Sequence, residues 1–312
     1  MRFFRPLYFI VIFLAGATAL LPRNASAQAA AWVVADSATG FILDSSNPAK
    51  KLQIGSLTKI ATAMVVLDWV DAERRDINEF ASVPNSASGL NATQSVGLTT
   101  GDRVTLRDLL YAALMQSDNQ AAETLAVHVG GALGKGDAVE AFVAQMNALA
   151  RRLGMTRTRF LYPHGLDGIE RSDPYSTAED LAKLVAYAMD SSAFRFYVSQ
   201  KERKITIETA LGETTQYLLR NTNELLGVNA IDGVKTGTTR KAGGCVAISA
   251  ARPPESRQEG DKHIITPRRL NVIVLGAADR FGIASGLLQR GWQRYDAWAA
   301  AGRPMKGWKA PR

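Results

Sequence analysis

The chain has 312 residues, 46% hydrophobic and 21% charged, with 26 Gly and 11 Pro, which places it among ordinary globular proteins and excludes disordered and collagen-like ones. Its single cysteine, Cys245, rules out an intramolecular disulfide, and three widely separated histidines (His128, His164, His263) offer no metal-ligand spacing, so metalloenzymes are set aside and no cofactor is implied. The formal charge of +8 is dispersed: the pairs Lys50-Lys51, Arg74-Arg75, Arg151-Arg152 and Arg268-Arg269 have no interleaved aromatics and read as solvated faces, not as a nucleic-acid site.

Arg2 and Arg5 precede an apolar run over residues 7–21, and Ala25-Ser26-Ala27 follows, the order of a secretory signal peptide. The run is 15 residues, short of the roughly 20 needed to cross a bilayer, which favours cleavage after Ala27 over an uncleaved anchor. The mature chain, residues 28–312, is then exported to the periplasm or another extracytoplasmic space, where a single Cys is in keeping with an oxidising compartment. Losing residues 1–27, which include Arg2, Arg5 and Arg23 and no acid, takes the charge from +8 to +5. That excess leaves room only for a weak association with a membrane surface or cell wall.

Residues 31–35 and 41–43 flank the turn-forming stretch Asp36-Ser37-Ala38-Thr39-Gly40 and predict a β-hairpin. Residues 60–70 are apolar all round, as in a buried helix. Thr105 with Asp108 resembles a capping box ahead of a helix, residues 138–153 end at Gly154 as a helix ends at a C′ glycine, and Thr177 with Asp180 opens a helix over 181–189. Residues 204–208, 246–250 and 270–275 are rich in strand formers, the polar stretch 253–267 reads as an exposed hairpin loop, and 284–298 is helical. Strands at both ends with helices between them predict one sheet assembled from the two termini, an all-helical subdomain inserted over about residues 80–195, and a cleft between the lobes.

Three short motifs carry candidate chemistry. Ser56 and Lys59 stand three apart at the start of the buried helix, hence on one face. A serine at a helix N-terminus sits where free N–H groups favour a developing oxyanion, and a lysine held neutral one turn on is able to take its proton. Ser117-Asp118-Asn119 falls in a helix-to-helix loop, where the plain reading is an N-cap. Lys235-Thr236-Gly237, followed by Thr238, reads by itself as a turn leading into the strand at 246–250.

Ser-x-x-Lys, Ser-x-Asn and Lys-Thr-Gly in this order are the set found in penicillin-binding proteins and class A β-lactamases. Together with Gly97-Leu98-Thr99-Thr100-Gly101-Asp102, Pro163-His164-Gly165-Leu166-Asp167, Tyr175-Ser176-Thr177-Ala178 and Ile231-Asp232-Gly233 ahead of Lys235, they make residues 29–298 resemble the D-alanyl-D-alanine carboxypeptidase family of low-molecular-mass penicillin-binding proteins. The resemblance implies an α/β (α+β) serine β-lactamase/DD-transpeptidase-like fold: an antiparallel five-stranded sheet flanked by helices, with an inserted helical lobe carrying Ser117. It implies a peptidoglycan stem peptide ending in D-Ala-D-Ala as substrate and β-lactams as covalent inhibitors. In that scheme Ser56 is the nucleophile, Lys59 its general base and Ser117 a proton relay. Asn119 binds the substrate amide, Lys235 and Thr236 hold the terminal carboxylate with Gly237 beside them in the substrate site, Thr238 and Ser56 supply oxyanion N–H groups, and Arg220 and Arg280 stand close by.

Two departures bear on specificity. Asp118 occupies a position that is often Gly in the carboxypeptidases, yet Glu170 is not followed by the Leu-Asn that a class A β-lactamase needs for deacylation. The chain also stops soon after Trp298, so the C-terminal β-domain and anchor helix of many family members are not expected. D,D-endopeptidase cleavage of cross-links uses the same residues and stays open as the alternative; a β-lactamase and an inactive peptidoglycan-binding scaffold rank behind it. His164, in a Pro-His-Gly turn, reads as structural, with the positioning of water near the cleft as the alternative, and Cys245, beyond the Lys-Thr-Gly strand, reads as a small buried hydrophobe.

Overall fold

The structure, a computed structural model, describes residues 29–90, 95–134, 136–167 and 173–307. The signal-peptide segment 1–27 and Glu170 lie outside the described residues. In chain order the elements are β1 (Ala29–Asp36), β2 (Ile42–Ser46), α1 (Thr58–Ala72), β3 (Phe80–Ser82), β4 (Arg103–Thr105), α2 (Leu106–Tyr111), α3 (Asn119–Leu133) and α4 (Ala138–Arg152). There follow α5 (Ala178–Asp190), α6 (Ser192–Val198), β5 (Glu202–Glu208), β6 (Thr214–Arg220), β7 (Ile231–Thr239), β8 (Gly243–Glu259), β9 (Lys262–Ala277) and α7 (Arg280–Ala300).

The main sheet has the order β2-β1-β9-β8-β7 and is antiparallel throughout, so the N-terminal hairpin is completed by strands from the far end of the chain. Asp36 fixes the hairpin turn by accepting from the Thr39 amide and hydroxyl at 2.9 and 2.6 Å. Side chains alternate across the strands. Ala31, Val33, Ala247, Ile273 and Leu275 join the core that contains α1 and α5, while Trp32, Val34, Val246, Ile248, Val272 and Val274 face α7. With both faces covered, the strands read as continuous apolar runs. Helix α1 is buried nearly all round, as its sequence predicts.

The capping signals are realised. Thr105 Oγ1 accepts from the Asp108 amide and Thr177 Oγ1 from the Asp180 amide, both at 3.1 Å, and Gly154 adopts φ +67° just past α4.

Three expectations need correction. The inserted lobe is not all-helical: it carries a second sheet of order β3-β4-β5-β6, to which the predicted strand at 204–208 belongs. Strands of three residues, such as β3 and β4, are too short to show a period-2 pattern. The insertion also does not run unbroken to 195, because α5 packs directly on β1 and β9 and belongs to the layer covering the main sheet. Finally, the stretch 253–267 is exposed but is a paired ribbon; the ladder continues from Glu255↔Thr266 to Glu259↔Lys262, with the irregularity at Pro253 and Pro254.

Candidate active site

The chain enters α1 through a single 3-10 turn, Gly55–Leu57, which puts Ser56 one turn before Lys59. Lys235, Thr236, Gly237 and Thr238 lie within β7, a strand in its own right and not a turn before one. It is an edge strand, and it passes so close to the Ser56 turn that a Cβ on Gly237 would stand 2.8 Å from the Ile54 carbonyl oxygen and 3.1 Å from the Ser56 amide nitrogen. Only glycine leaves that gap open. Across it, backbone N–H groups of the turn and of the strand edge come together.

Lys59 is fully buried, and its Nζ has three acceptors: Ser56 Oγ at 3.0 Å, Asn119 Oδ1 at 2.7 Å and the His164 carbonyl oxygen at 2.8 Å. Asn119 is oriented by its Nδ2, which donates to the Leu90 carbonyl at 3.1 Å, so its oxygen must face Lys59. A carbonyl and an amide oxygen only accept. When Lys59 is neutral its two N–H bonds therefore go to Asn119 and His164, and the lone pair is left for the Ser56 hydroxyl proton. Burial draws the Lys59 amine down from 10.5 to about 7, with the charge of Asp118 working in the opposite sense. Lys235, equally buried, is also pushed well below the ordinary lysine range, first by burial and then by the charges of Lys59 and Arg280.

Ser117 ends a π-helical turn (Ala112–Gln116) and holds the left-handed conformation at φ +67°. A non-glycine residue there carries backbone strain, of the kind that concentrates at functional positions. Asp118 is explained by structure: its carboxylate caps α3 at the Ala121 amide (2.7 Å) and ties down the Val96 amide (2.7 Å) and the Ser95 hydroxyl (3.2 Å). The N-cap reading of this loop and a functional reading thus fall on neighbouring residues.

Ser56, Ser117, Asn119, Thr236, Gly237, Thr238 and Arg280 line one cleft of about 750 Å³, with Lys59 and Lys235 buried around it. Arg280, at the start of α7, donates to the Gly237 carbonyl at 2.9 Å and to Thr238 Oγ1 at 2.5 Å, fixing the end of β7. Thr236 Oγ1 shares a 2.6 Å hydrogen bond with Thr222 Oγ1. Arg220 is not brought in: it projects into solvent from the end of β6, pairs with Glu202 at 3.3 Å and lines an adjoining groove with Tyr217 and Leu218.

His164 serves through its backbone. Its ring is buried, stacks on Tyr162 and accepts from the Leu166 amide at Nδ1 (3.1 Å), and burial with the nearby Lys59 charge lowers its pKa to about 3, so the imidazole is neutral. A Cβ on Gly165 would stand 2.2 Å from the Gly55 carbonyl oxygen. That close approach is what delivers the His164 carbonyl to Lys59. Cys245 pairs with Gly237 across β7 and β8, wholly buried, its thiol pushed up to about 11 by burial. Among the described residues no three His, Cys, Asp or Glu side chains gather as a metal site. Sequence reasoning missed Gln116, Leu166, Asn221, Thr222 and Glu224 in the lining; the polar run Asn221-Thr222-Asn223 ahead of β7 was the available signal.

A family profile described as D-alanyl-D-alanine carboxypeptidase (peptidase S11) matches residues 18–257. The chain belongs to that family. It is 32% identical over 279 residues to the D-alanyl-D-alanine carboxypeptidase DacC of Escherichia coli K12, a match covering 87% of this chain and 63% of that protein. The chain thus spans less than two thirds of the length of DacC. Among solved structures, the Streptomyces K15 DD-transpeptidase superposes with a TM-score of 0.73 at 28% identity, over 85% of this chain and 97% of that one. Penicillin-binding protein D2 from Listeria monocytogenes, in its cefotaxime-bound form, gives a TM-score of 0.65 at 30% identity, over 85% and 97% of the two chains. The carboxypeptidase-family fold expected from the motifs is therefore the fold observed, a five-stranded antiparallel sheet between helical layers. Among the described residues no helix is long and apolar enough to cross a membrane.

Proposed function

We propose that this protein is a serine-type D-Ala-D-Ala carboxypeptidase that removes the terminal D-alanine from peptidoglycan stem peptides. The observation that carries the reading is the environment of Lys59: a buried amine near 7, with two acceptor-only partners and its remaining direction on Ser56 Oγ.

Ser56 Oγ attacks the carbonyl between the two D-alanines while its proton passes to neutral Lys59. The Ser56 and Thr238 N–H groups hold the oxyanion. Ser117 relays the proton to the departing D-alanine nitrogen, and Asn119 binds the substrate amide. Lys235, Thr236 and Arg280 receive the terminal carboxylate, whose negative charge restores the charged form of Lys235 that burial disfavours. Water then hydrolyses the ester on Ser56, freeing the shortened peptide. A β-lactam acylates Ser56 by the same first step, in keeping with the cefotaxime-bound Listeria relative.

The substrate places the reaction outside the cytoplasmic membrane, and we take residues 1–27 as an export signal removed from a mature catalytic unit of residues 28–312. The basic start, the apolar run and Ala25-Ser26-Ala27 support this. Incubation of the mature protein with a pentapeptide ending in D-Ala-D-Ala, and separately with purified cross-linked muropeptide dimers, tests the assignment. Free D-alanine from the pentapeptide with intact dimers is the expected result. Dimer cleavage without D-alanine release contradicts it in favour of an endopeptidase.

A further inference from the structure

Among the described residues lining the cleft, Arg280 is the one guanidinium and Glu224 the one carboxylate. The acyl-transfer chemistry makes no use of Glu224. Its side chain is exposed, while the residues on either side of it are tied down. Asn221 Nδ2 donates to the Val198 and Gln200 carbonyls at 3.1 and 2.9 Å, and the Thr222 amide donates to the Met115 carbonyl at 3.0 Å. The buried Asn223 side chain donates to the Gly233 carbonyl at 3.0 Å and accepts from the Leu225 amide at 3.2 Å. A carboxylate thus projects at the cleft rim from a segment anchored to α6, to the π-helical turn and to β7. The charge of Glu224 acts on Arg280, but among the described residues Glu224 forms no ion pair. A carboxylate and a guanidinium in one cleft make it dipolar. A ligand with a carboxylate at one point and a cation at another is favoured over one that is anionic throughout.

We propose that Glu224 recognises a positively charged amine on the substrate, so that a stem peptide whose diamino-acid side chain keeps its free ammonium group is preferred over one whose amine is acylated. This rests on the carboxypeptidase reading and names the substrate class within it. An exposed ion pair supports a preference of about threefold to fivefold, and salt weakens it.

The test compares two pentapeptides ending in D-Ala-D-Ala that differ only in a free or acetylated lysine side chain at the third position, with D-alanine release read as kcat/KM at low ionic strength. The wild-type ratio, free over acetylated, is expected at about three to five. It falls to about one in Glu224→Gln and below one in Glu224→Lys. A wild-type ratio of one overturns the proposal, as does a ratio that survives Glu224→Gln. Equal loss on both peptides in Glu224→Gln, with the ratio intact, also overturns it and makes Glu224 a positioning residue for Arg280. Turnover of neither peptide by folded wild-type protein contradicts the carboxypeptidase reading itself, and the amine preference falls with it.

Discussion

Cations at the two ends of the main sheet have opposite surroundings. At the cleft, Lys59 and Lys235 are wholly buried, and burial pushes both amines toward neutrality. At the distal ribbon, Arg252 and Arg268 share Asp296, and Arg303 and Arg268 meet Glu255, all with side chains partly in water. All three guanidinium groups also lie over Trp292 or Tyr295. The ribbon arginines tie an otherwise isolated two-stranded ribbon to α7 and the tail beyond it. The cleft lysines sit in an environment that opposes their charge, and so at least one of them is available as a base near neutral pH. Buried charge is costly to the fold and useful to chemistry; solvated charge is cheap and does neither much harm nor much chemistry.

The largest effects are expected at the cleft. Ser56→Ala abolishes acylation by penicillin, and Lys59→Ala lowers acylation by about three orders of magnitude or more in a protein that still folds. Near-normal acylation in Lys59→Ala removes the contrast between the two ends at a stroke. The wild-type acylation rate rises with pH through about 7, because only the neutral amine takes the Ser56 proton. Asp118→Asn removes the charge that opposes the lowering of Lys59, so the acidic limb moves to lower pH; the amide keeps one acceptor oxygen for the α3 cap but turns an NH2 donor toward the Val96 N–H, at a cost of about 1–3 kcal/mol in urea unfolding. An unshifted limb in a folded Asp118→Asn protein would detach that carboxylate from the base.

Stability should follow the same amine with a defined sign. Lys59 titrates near 7 when folded and at 10.5 in its ordinary state, so between those values the unfolded chain holds the extra proton and this group's contribution to folding rises with pH. The melting temperature of wild type relative to Lys59→Met is therefore expected to climb from about pH 7 to about pH 10. The smallest effect belongs to the ribbon: Arg252→Ala changes stability by about 1 kcal/mol or less, the change shrinks in salt, and turnover is untouched. A large loss of turnover there would mean that the two ends are coupled.

How much of this was legible in the sequence depends on how local the physics is. The hairpin at Asp36, the caps at Thr105 and Thr177 and the stop at Gly154 are contacts between residues two to four apart, and their residue types announce them. The spacing of Ser56 and Lys59 is equally local. What stayed hidden is carried by backbone or by distance. The His164 carbonyl beside Lys59 has no residue-type signal, since any residue has a carbonyl; only Gly165, which permits the approach, marks the spot. Lys235-Thr236-Gly237 reads as a turn because Thr and Gly there say nothing of the pairing with β8 that makes it a strand. The second sheet escaped notice because β3 and β4 are three residues each and find their partners far along the chain. Arg220 was placed beside the site by resemblance, and the structure gives its guanidinium to Glu202.

Mass spectrometry of the mature protein after incubation with benzylpenicillin, with peptide mapping and with Ser56→Ala in parallel, tests the central claim most directly. One lasting adduct is expected, mapped to Ser56 in wild type and missing from Ser56→Ala, with most of the added penicillin left intact. Labelling of Ser56→Ala, or a wild-type protein that leaves penicillin intact and carries no adduct, would contradict it. Rapid loss of penicillin without a lasting adduct would contradict the slow deacylation and return β-lactamase activity to consideration.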